Sequence, residues 1–196
     1  MKIGVFLSRM QPLHIGHLGI IELALEENDK VVILIGSKNK KGTERNPLDA
    51  NLRREILEEA LEEKFGKNYK EKIIISELPD WSKETAVEEF KEWGRYLYYN
   101  IVSLAEHKEF SIYFSDEKEL IQSWFEEELQ KRINFRLFER DKMFDAVSST
   151  KIRQAFLDDN RKYVEDSCPD AVLRRYEELK QIIKEVKDNP IEDYTI

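Results

Sequence analysis

The sequence predicts an α/β fold: an open parallel sheet of five strands, followed by a C-terminal helical extension. Three observations lead there. Short β-branched and aromatic runs alternate with longer stretches of helical periodicity. One run, Val31 to Gly36, is apolar without interruption, as a strand buried on both faces requires. The alternation ends near residue 147, beyond which only helical patterns follow.

In chain order, Lys2 to Ser8 reads as the first strand rather than as a signal peptide, having no small-residue cleavage site. The next helix is expected to begin at His17 and to carry Leu18, Ile21 and Leu25. After the second strand, Val31 to Gly36, an apolar helix face runs through Leu52, Ile56, Leu57, Ala60, Leu61 and Phe65. Asp49 or Asn51 would cap it and Gly66 would stop it. Lys72 to Ser76 is the third strand. Val87, Phe90, Leu97, Tyr98, Ile101 and Ala105 outline a long helix before the fourth strand, Phe110 to Ser115. Asp116-Glu117-Lys118-Glu119 is similar to a capping box, ahead of a helix with Leu120, Trp124 and Phe125 on its core face. Ile133 to Phe138 is the fifth strand. Ser149 to Leu157 forms a short helix. Pro169 then opens a last amphipathic helix bearing Val172, Tyr176, Leu179, Ile183 and Val186. The tail from Asp188 is expected to be loosely held. Residues 1–157 make the main unit and 158–196 its helical extension.

Composition narrows the function. The chain has 196 residues, 41% hydrophobic and 37% charged, a balance that suits a folded globular protein. No apolar run approaches the ~18 residues of a membrane span. A formal net charge of −8 is a poor basis for non-specific nucleic-acid binding, which depends on neutralising phosphates. Neither nucleic acid nor membrane is expected as a partner. The single cysteine, Cys168, excludes an intramolecular disulfide and a cysteine-based zinc cluster, and it suits a cytoplasmic location. A homo-oligomer is expected.

Ligands of open α/β sheets lie at the carboxyl ends of the strands, so chemistry should follow a strand. After the first one comes Ser8-Arg9-Met10-Gln11-Pro12-Leu13-His14-Ile15-Gly16-His17, with two of the three histidines inside four residues. Pro12 stiffens this loop and Gly16 lets a ligand approach its backbone. The helix that follows offers a partially positive N-terminus, and imidazoles there can donate to phosphate oxygens. Late in the chain, Val147-Ser148-Ser149-Thr150-Lys151-Ile152-Arg153 repeats the theme. Ser148 or Ser149 caps a helix whose first N–H groups, with Thr150 and Arg153, can face phosphates.

The two segments resemble the HxGH and SxTxxR signatures of the nucleotidylyltransferase superfamily. That resemblance implies a Rossmann-like, doubly wound fold and transfer of a nucleoside monophosphate from a nucleoside triphosphate. Phe6 to His17 is similar to the GRFQPxHxGH form of the archaeal-type nicotinamide-mononucleotide (NMN) adenylyltransferases. Ile35-Gly36-Ser37, Asn46-Pro47-Leu48 and Arg53 resemble the GS…NPF…R segment of the same group. The likeness is dense over residues 1–60 and 145–157. It implies AMP transfer from ATP to NMN, giving NAD and pyrophosphate. By the same likeness, His14 and His17 bind phosphates and stabilise the transition state, while Arg153 and Arg9 neutralise the leaving pyrophosphate. Ser8, Met10, Gly16, Arg53, Ser148, Ser149 and Thr150 complete the ATP site. Asp80 and Trp81 meet the acceptor. Mg²⁺ is expected to travel with ATP, and no metal-ligand set is assigned in the chain.

The sequence departs from the pattern in places. Ser8 stands where the group has glycine, and Met10 where it has phenylalanine. Ser82-Lys83-Glu84-Thr85 replaces an asparagine-rich loop, and Ser115-Asp116 replaces a Gly-Asn pair. Two alternatives therefore stand beside the first reading. One is the same fold acting on phosphopantetheine or a sugar or alcohol phosphate, with CTP possible as donor; the other is a nucleotide-binding regulator without turnover. Lys38, Lys40, Lys41 and Arg45 form either a solvated loop or a mobile clamp on the triphosphate. Trp93, Tyr96, Tyr98 and Tyr99 are expected in core or interface, and His107 and Cys168 in structural roles.

Overall fold

The structure, a computed structural model, describes residues 1–79, 87–115, 118–138 and 147–191, apart from the side chains of 87–89. Its elements run β1 (Ile3–Ser8), α1 (Ile15–Glu27), β2 (Lys30–Ile35), α2 (Ala50–Phe65), a 3-10 turn (Lys67–Glu71), β3 (Ile73–Glu77), α3 (Val87–Ala105) and β4 (Phe110–Phe114). Then follow α4 (Lys118–Ser123), α5 (Glu127–Gln130), β5 (Ile133–Leu137), α6 (Ser149–Leu157), α7 (Arg161–Ser167), α8 (Asp170–Leu173) and α9 (Tyr176–Asp188).

The five strands form one sheet in the order β3-β2-β1-β4-β5. Every pairing is parallel, with Val5 opposite both Val32 and Ile112. Side chains of β2 alternate between two buried layers, as a strand covered on both faces must. Val31, Ile33 and Ile35 join α1, α2 and α6 in one core, while Val32 and Leu34 join α3 in the other. The right-handed rule for parallel crossovers explains the two layers. The chain moves from β1 to β3 in one direction with α1 and α2 on one face. It then returns past β1 to β4, which puts α3 on the opposite face. The winding thus reverses at β1 and β4, and a crevice opens at their carboxyl ends.

Asp49 caps α2 by accepting the Leu52 N–H at 2.9 Å, and Gly66 ends that helix at a φ of 78°. Other boundaries differ from the sequence expectation. Helix α1 starts at Ile15, not His17, and His14 is its N-cap residue. Trp124 and Phe125 lie just past α4 rather than on a helix face, in a turn pressed against α3. A Cβ on Gly94 would fall 1.8 Å from the Trp124 carbonyl oxygen, so only glycine permits this approach. Lys91 Nζ and Gln130 Nε2 both donate to the Phe125 carbonyl there, at 2.7 and 2.9 Å. The proposed cap at Asp116-Glu117, the pair Asp80-Trp81 and the last five residues of the tail lie outside the described residues.

The extension holds α7 between the two helices expected from sequence, and the single last helix is broken into α8 and α9. Pro169 caps α8, and the break at Arg174-Arg175 lets both guanidinium groups reach α2. Arg174 pairs with Glu59 and Glu63, and Arg175 with Glu59. Val164, Cys168, Val172, Tyr176 and Leu179 are buried in the same core as Ile56, Leu57 and Phe156. Burial pushes the Cys168 thiol up to about 12, which leaves it a small apolar core group.

The hydrogen bonds from Arg175 and Arg174 hold the Glu59 carboxyl down at about 2, against an ordinary 4.5. A carboxylate lowered in the folded state contributes its stability above the ordinary value and loses it as pH falls toward the lowered one. The protection of amides in α8 and α9, taken relative to their intrinsic exchange rate, is therefore expected to fall between pH 4.5 and about 2. Glu59→Gln should already exchange quickly at neutral pH, and identical pH dependence in both proteins would exclude this anchoring role.

Candidate active site

The crevice at β1 and β4 is walled on one side by the loop from Ser8 to His14. Met10 adopts a left-handed φ of 53° and points its side chain into the core, 1% exposed. Gln11 is also buried. Its side-chain amide pairs with the Leu48 backbone in both directions, Nε2 to the carbonyl and Oε1 from the N–H, each at 2.9 Å. The first loop is thereby fastened to the Asn46-Pro47-Leu48 segment, a role the sequence did not reveal.

His14 and His17 lie one above the other at the start of α1, ring centroids 3.7 Å apart and tilted by 24°. A Cβ at Gly16 would sit 3.1 Å from the His14 ring, so a larger residue there would press on the stack. Glycine thus leaves room for the His14 ring as well as for a ligand. The His14 backbone N–H donates to His17 Nδ1 at 3.2 Å. That nitrogen is an acceptor, so the neutral ring carries its proton on Nε2. Nε2 lies 3.0 Å from Ser8 Oγ, at the end of β1.

Helix α6 brings the second motif onto this loop. Ser148 caps it, accepting the Lys151 N–H at 3.3 Å. Ser149 Oγ donates to the Pro12 carbonyl at 3.1 Å, and Arg153 Nη1 to the Gln11 carbonyl at 2.8 Å. Arg153 Nη2 also reaches Thr150 Oγ1 at 3.4 Å. Segments more than 130 residues apart in sequence are therefore hydrogen-bonded into one surface. His14, Gly16 and His17 thus share a loop with the helix that carries Ser148, Ser149, Thr150 and Arg153.

Electrostatics mark the spot within an acidic chain. Burial lowers the Arg153 guanidinium from its ordinary value, and the neighbouring charges of Arg9 and Arg45 lower it further, against a single opposing Glu44. Three guanidinium groups repelling one another at one edge of a sheet are stabilised by an arriving polyanion. Arg53 takes a different place. It is 1% exposed, and its fork is used on backbone carbonyls. Nη1 donates to Arg9 and Gly36 at 2.7 Å each, Nη2 to Ser37 at 3.1 Å, and Nε to Asp49 at 3.2 Å. Burial pushes its guanidinium down to about 10. It ties the loops after β1 and β2 to α2.

The basic loop after β2 is held at several points. Lys38 Nζ meets Glu77 at 3.1 Å, Glu44 meets Lys187 at 2.8 Å, and the Gly42 carbonyl accepts the Ile191 N–H at 2.9 Å. Arg45 and Lys41 are exposed on it, Arg45 on the side of Arg153. Among the described residues, no three His, Cys, Asp or Glu side chains stand together as a metal site, and no helix is long and apolar enough to cross a membrane.

The fold reverses at β1, and the loop that leads to the stacked histidines is bonded to a serine-capped, arginine-bearing helix, the layout of a nucleotidyltransferase. The chain belongs to the cytidylyltransferase-like family, whose model matches residues 5–155. Among its relatives is the nicotinamide-nucleotide adenylyltransferase of Thermococcus sibiricus, 30% identical over 91% of this chain and 85% of the other. The enzyme of the same name from Pyrococcus furiosus is 28% identical over 93% of this chain and 86% of its own. A solved bifunctional NMN adenylyltransferase/ADP-ribose pyrophosphatase from Francisella tularensis, in complex with AMP and a manganese ion, superimposes with a TM-score of 0.63 at 25% identity. That match covers 80% of this chain and 42% of the longer bifunctional protein.

Proposed function

We propose that this protein transfers AMP from ATP to nicotinamide mononucleotide, giving NAD and pyrophosphate. One observation carries the proposal: the His14–His17 stack and Arg153 converge on one loop, within a family whose similar members are nicotinamide-nucleotide adenylyltransferases. An oxygen of the acceptor's 5′-phosphate attacks the α-phosphorus of ATP. The bond from that phosphorus to the bridging oxygen breaks, and pyrophosphate leaves with it. Such a step needs alignment and charge neutralisation more than covalent catalysis. His17 Nε2–H and His14 supply donors to the phosphate oxygens. Arg153, Arg9 and Arg45 neutralise the pyrophosphate, and Ser148, Ser149 and Thr150 present the N-terminus of α6 to it. The donors here suit phosphate rather than a metal, so Mg²⁺ enters bound to ATP. A cytoplasmic location goes with this chemistry.

Asp80 and Trp81 remain the proposed acceptor contacts, the indole stacking on the pyridinium ring. The test is pyrophosphate release from ATP or CTP against a panel of phosphorylated acceptors. Only ATP with NMN is expected to turn over well. NMN should also quench tryptophan emission, and Trp81→Ala should remove most of that quench. Preference for phosphopantetheine or a sugar phosphate would replace this acceptor, and saturable NMN binding indifferent to Trp81 would reject the stacking contact alone.

A further inference from the structure

We propose that Ser8 is a positioning residue for His17, holding its Nε2–H on the line along which a phosphate oxygen is met. The inference rests on the adenylyl-transfer function above, and it concerns a residue that departs from the glycine of the resembling group. The His17 ring is held from three sides. Its Nδ1 accepts the His14 N–H at 3.2 Å, its face lies on the His14 ring at 3.7 Å, and its Nε2 meets Ser8 Oγ at 3.0 Å. The first contact decides which nitrogen bears the proton. The second fixes the ring plane. The third holds the protonated edge of the ring against the end of β1.

Ser8 suits that task because its own backbone is fixed. It is the last residue of β1, paired in register with Ile35, and its carbonyl accepts the Gly36 N–H at 2.9 Å. Groups carried on strands hold their geometry better than groups carried on loops. A hydroxyl accepts and donates at once, so Ser8 can receive the His17 proton while its own O–H turns toward an anion. When a phosphate arrives, Nε2–H is shared between Ser8 Oγ and the phosphate oxygen, so the ring stays anchored to β1 as the new bond forms. Glycine would offer a backbone N–H to the ligand but nothing to hold the imidazole.

Two measurements on Ser8→Ala and Ser8→Thr test this. The first needs no activity: ring N–H signals of the ¹⁵N-labelled protein, with only three histidines to assign. A His17 Nε2–H signal protected from solvent is expected in the wild type, lost in Ser8→Ala and restored in Ser8→Thr. Its survival in Ser8→Ala would overturn the proposal. The second is a double-mutant cycle. Loss of one hydrogen bond should lower kcat about 5–10-fold in Ser8→Ala. The KM for ATP should stay within about twofold, because the defect is in transition-state alignment. In a His17→Ala background, Ser8→Ala should cost nothing more. Equal losses in both backgrounds would mean that Ser8 acts on the phosphate directly, and no loss in the wild-type background would remove its role; either result overturns the proposal. If no acceptor yields pyrophosphate, the enzymatic function fails, while the ring signals still decide whether Ser8 holds His17.

Discussion

Replacing His17 with alanine is expected to lower kcat by ~10²-fold or more, the usual consequence of removing a preorganised donor to transition-state charge. The expectation comes from how the ring is held. His17 is nearly buried, its tautomer is set by a backbone N–H, and its plane is set by the stack on His14. A donor fixed this way needs no reorganisation when charge builds on the α-phosphate. The fold should survive, because the ring packs against another site residue, His14, and lies 6.0 Å from the Phe6 ring between centroids. Pyrophosphate release should show the loss while the thermal transition stays close to that of the wild type. His14→Ala should affect both ATP affinity and rate. Turnover at the wild-type rate in both variants would remove the histidines from the chemistry.

The second large effect is on stability. Arg53→Ala is expected to destabilise the protein by about 3 kcal/mol or more, since buried carbonyls deprived of their donors cost ~1–3 kcal/mol each. Four carbonyls accept from this one side chain; those of Ser37 and Asp49 keep backbone donors, from Lys40 and from residue 53 itself, so the loss falls chiefly on Arg9 and Gly36. Their release would also loosen both loops that frame the phosphate site, so activity falls with stability. Arg53→Lys keeps a charge but not the fork, and it should recover little of the loss. Urea denaturation separates this role from the phosphate contact that the sequence suggested. A direct contact would leave the unfolding midpoint in place and raise only the KM for ATP.

That difference shows where sequence reasoning stops. The strands were legible because full burial imposes a composition, as in Val31 to Ile35. The histidine pair was legible because both rings fall within four residues, directly after the first strand and at the start of a helix. Arg53 was visible as an arginine after a phosphate-type loop, but its burial depends on carbonyls from three separate segments. The role of Gln11 is hidden for the same reason, its partner Leu48 lying 37 positions away. The start of α1 was misplaced because His14 serves both as the residue before the helix and as part of the site. In the extension, hydrophobic spacing spans the break between α8 and α9. What accompanies the break, Arg174 and Arg175 meeting Glu59 and Glu63, lies on another helix. Trp124 and Phe125 have helical spacing from Leu120, yet the glycine that receives their turn is Gly94, far back in α3.

The central claim is that the loop from Ser8 to His17, with α6 bound to it, moves an adenylyl group from ATP to the phosphate of NMN. The most direct measurement follows ATP labelled at its α-phosphorus through a single turnover with NMN. The label is expected to appear in NAD, with one unlabelled pyrophosphate released per NAD formed and the transfer nearly abolished in His17→Ala. Label that stays in ATP in the presence of NMN, or that reaches a product containing no nicotinamide, would contradict the account.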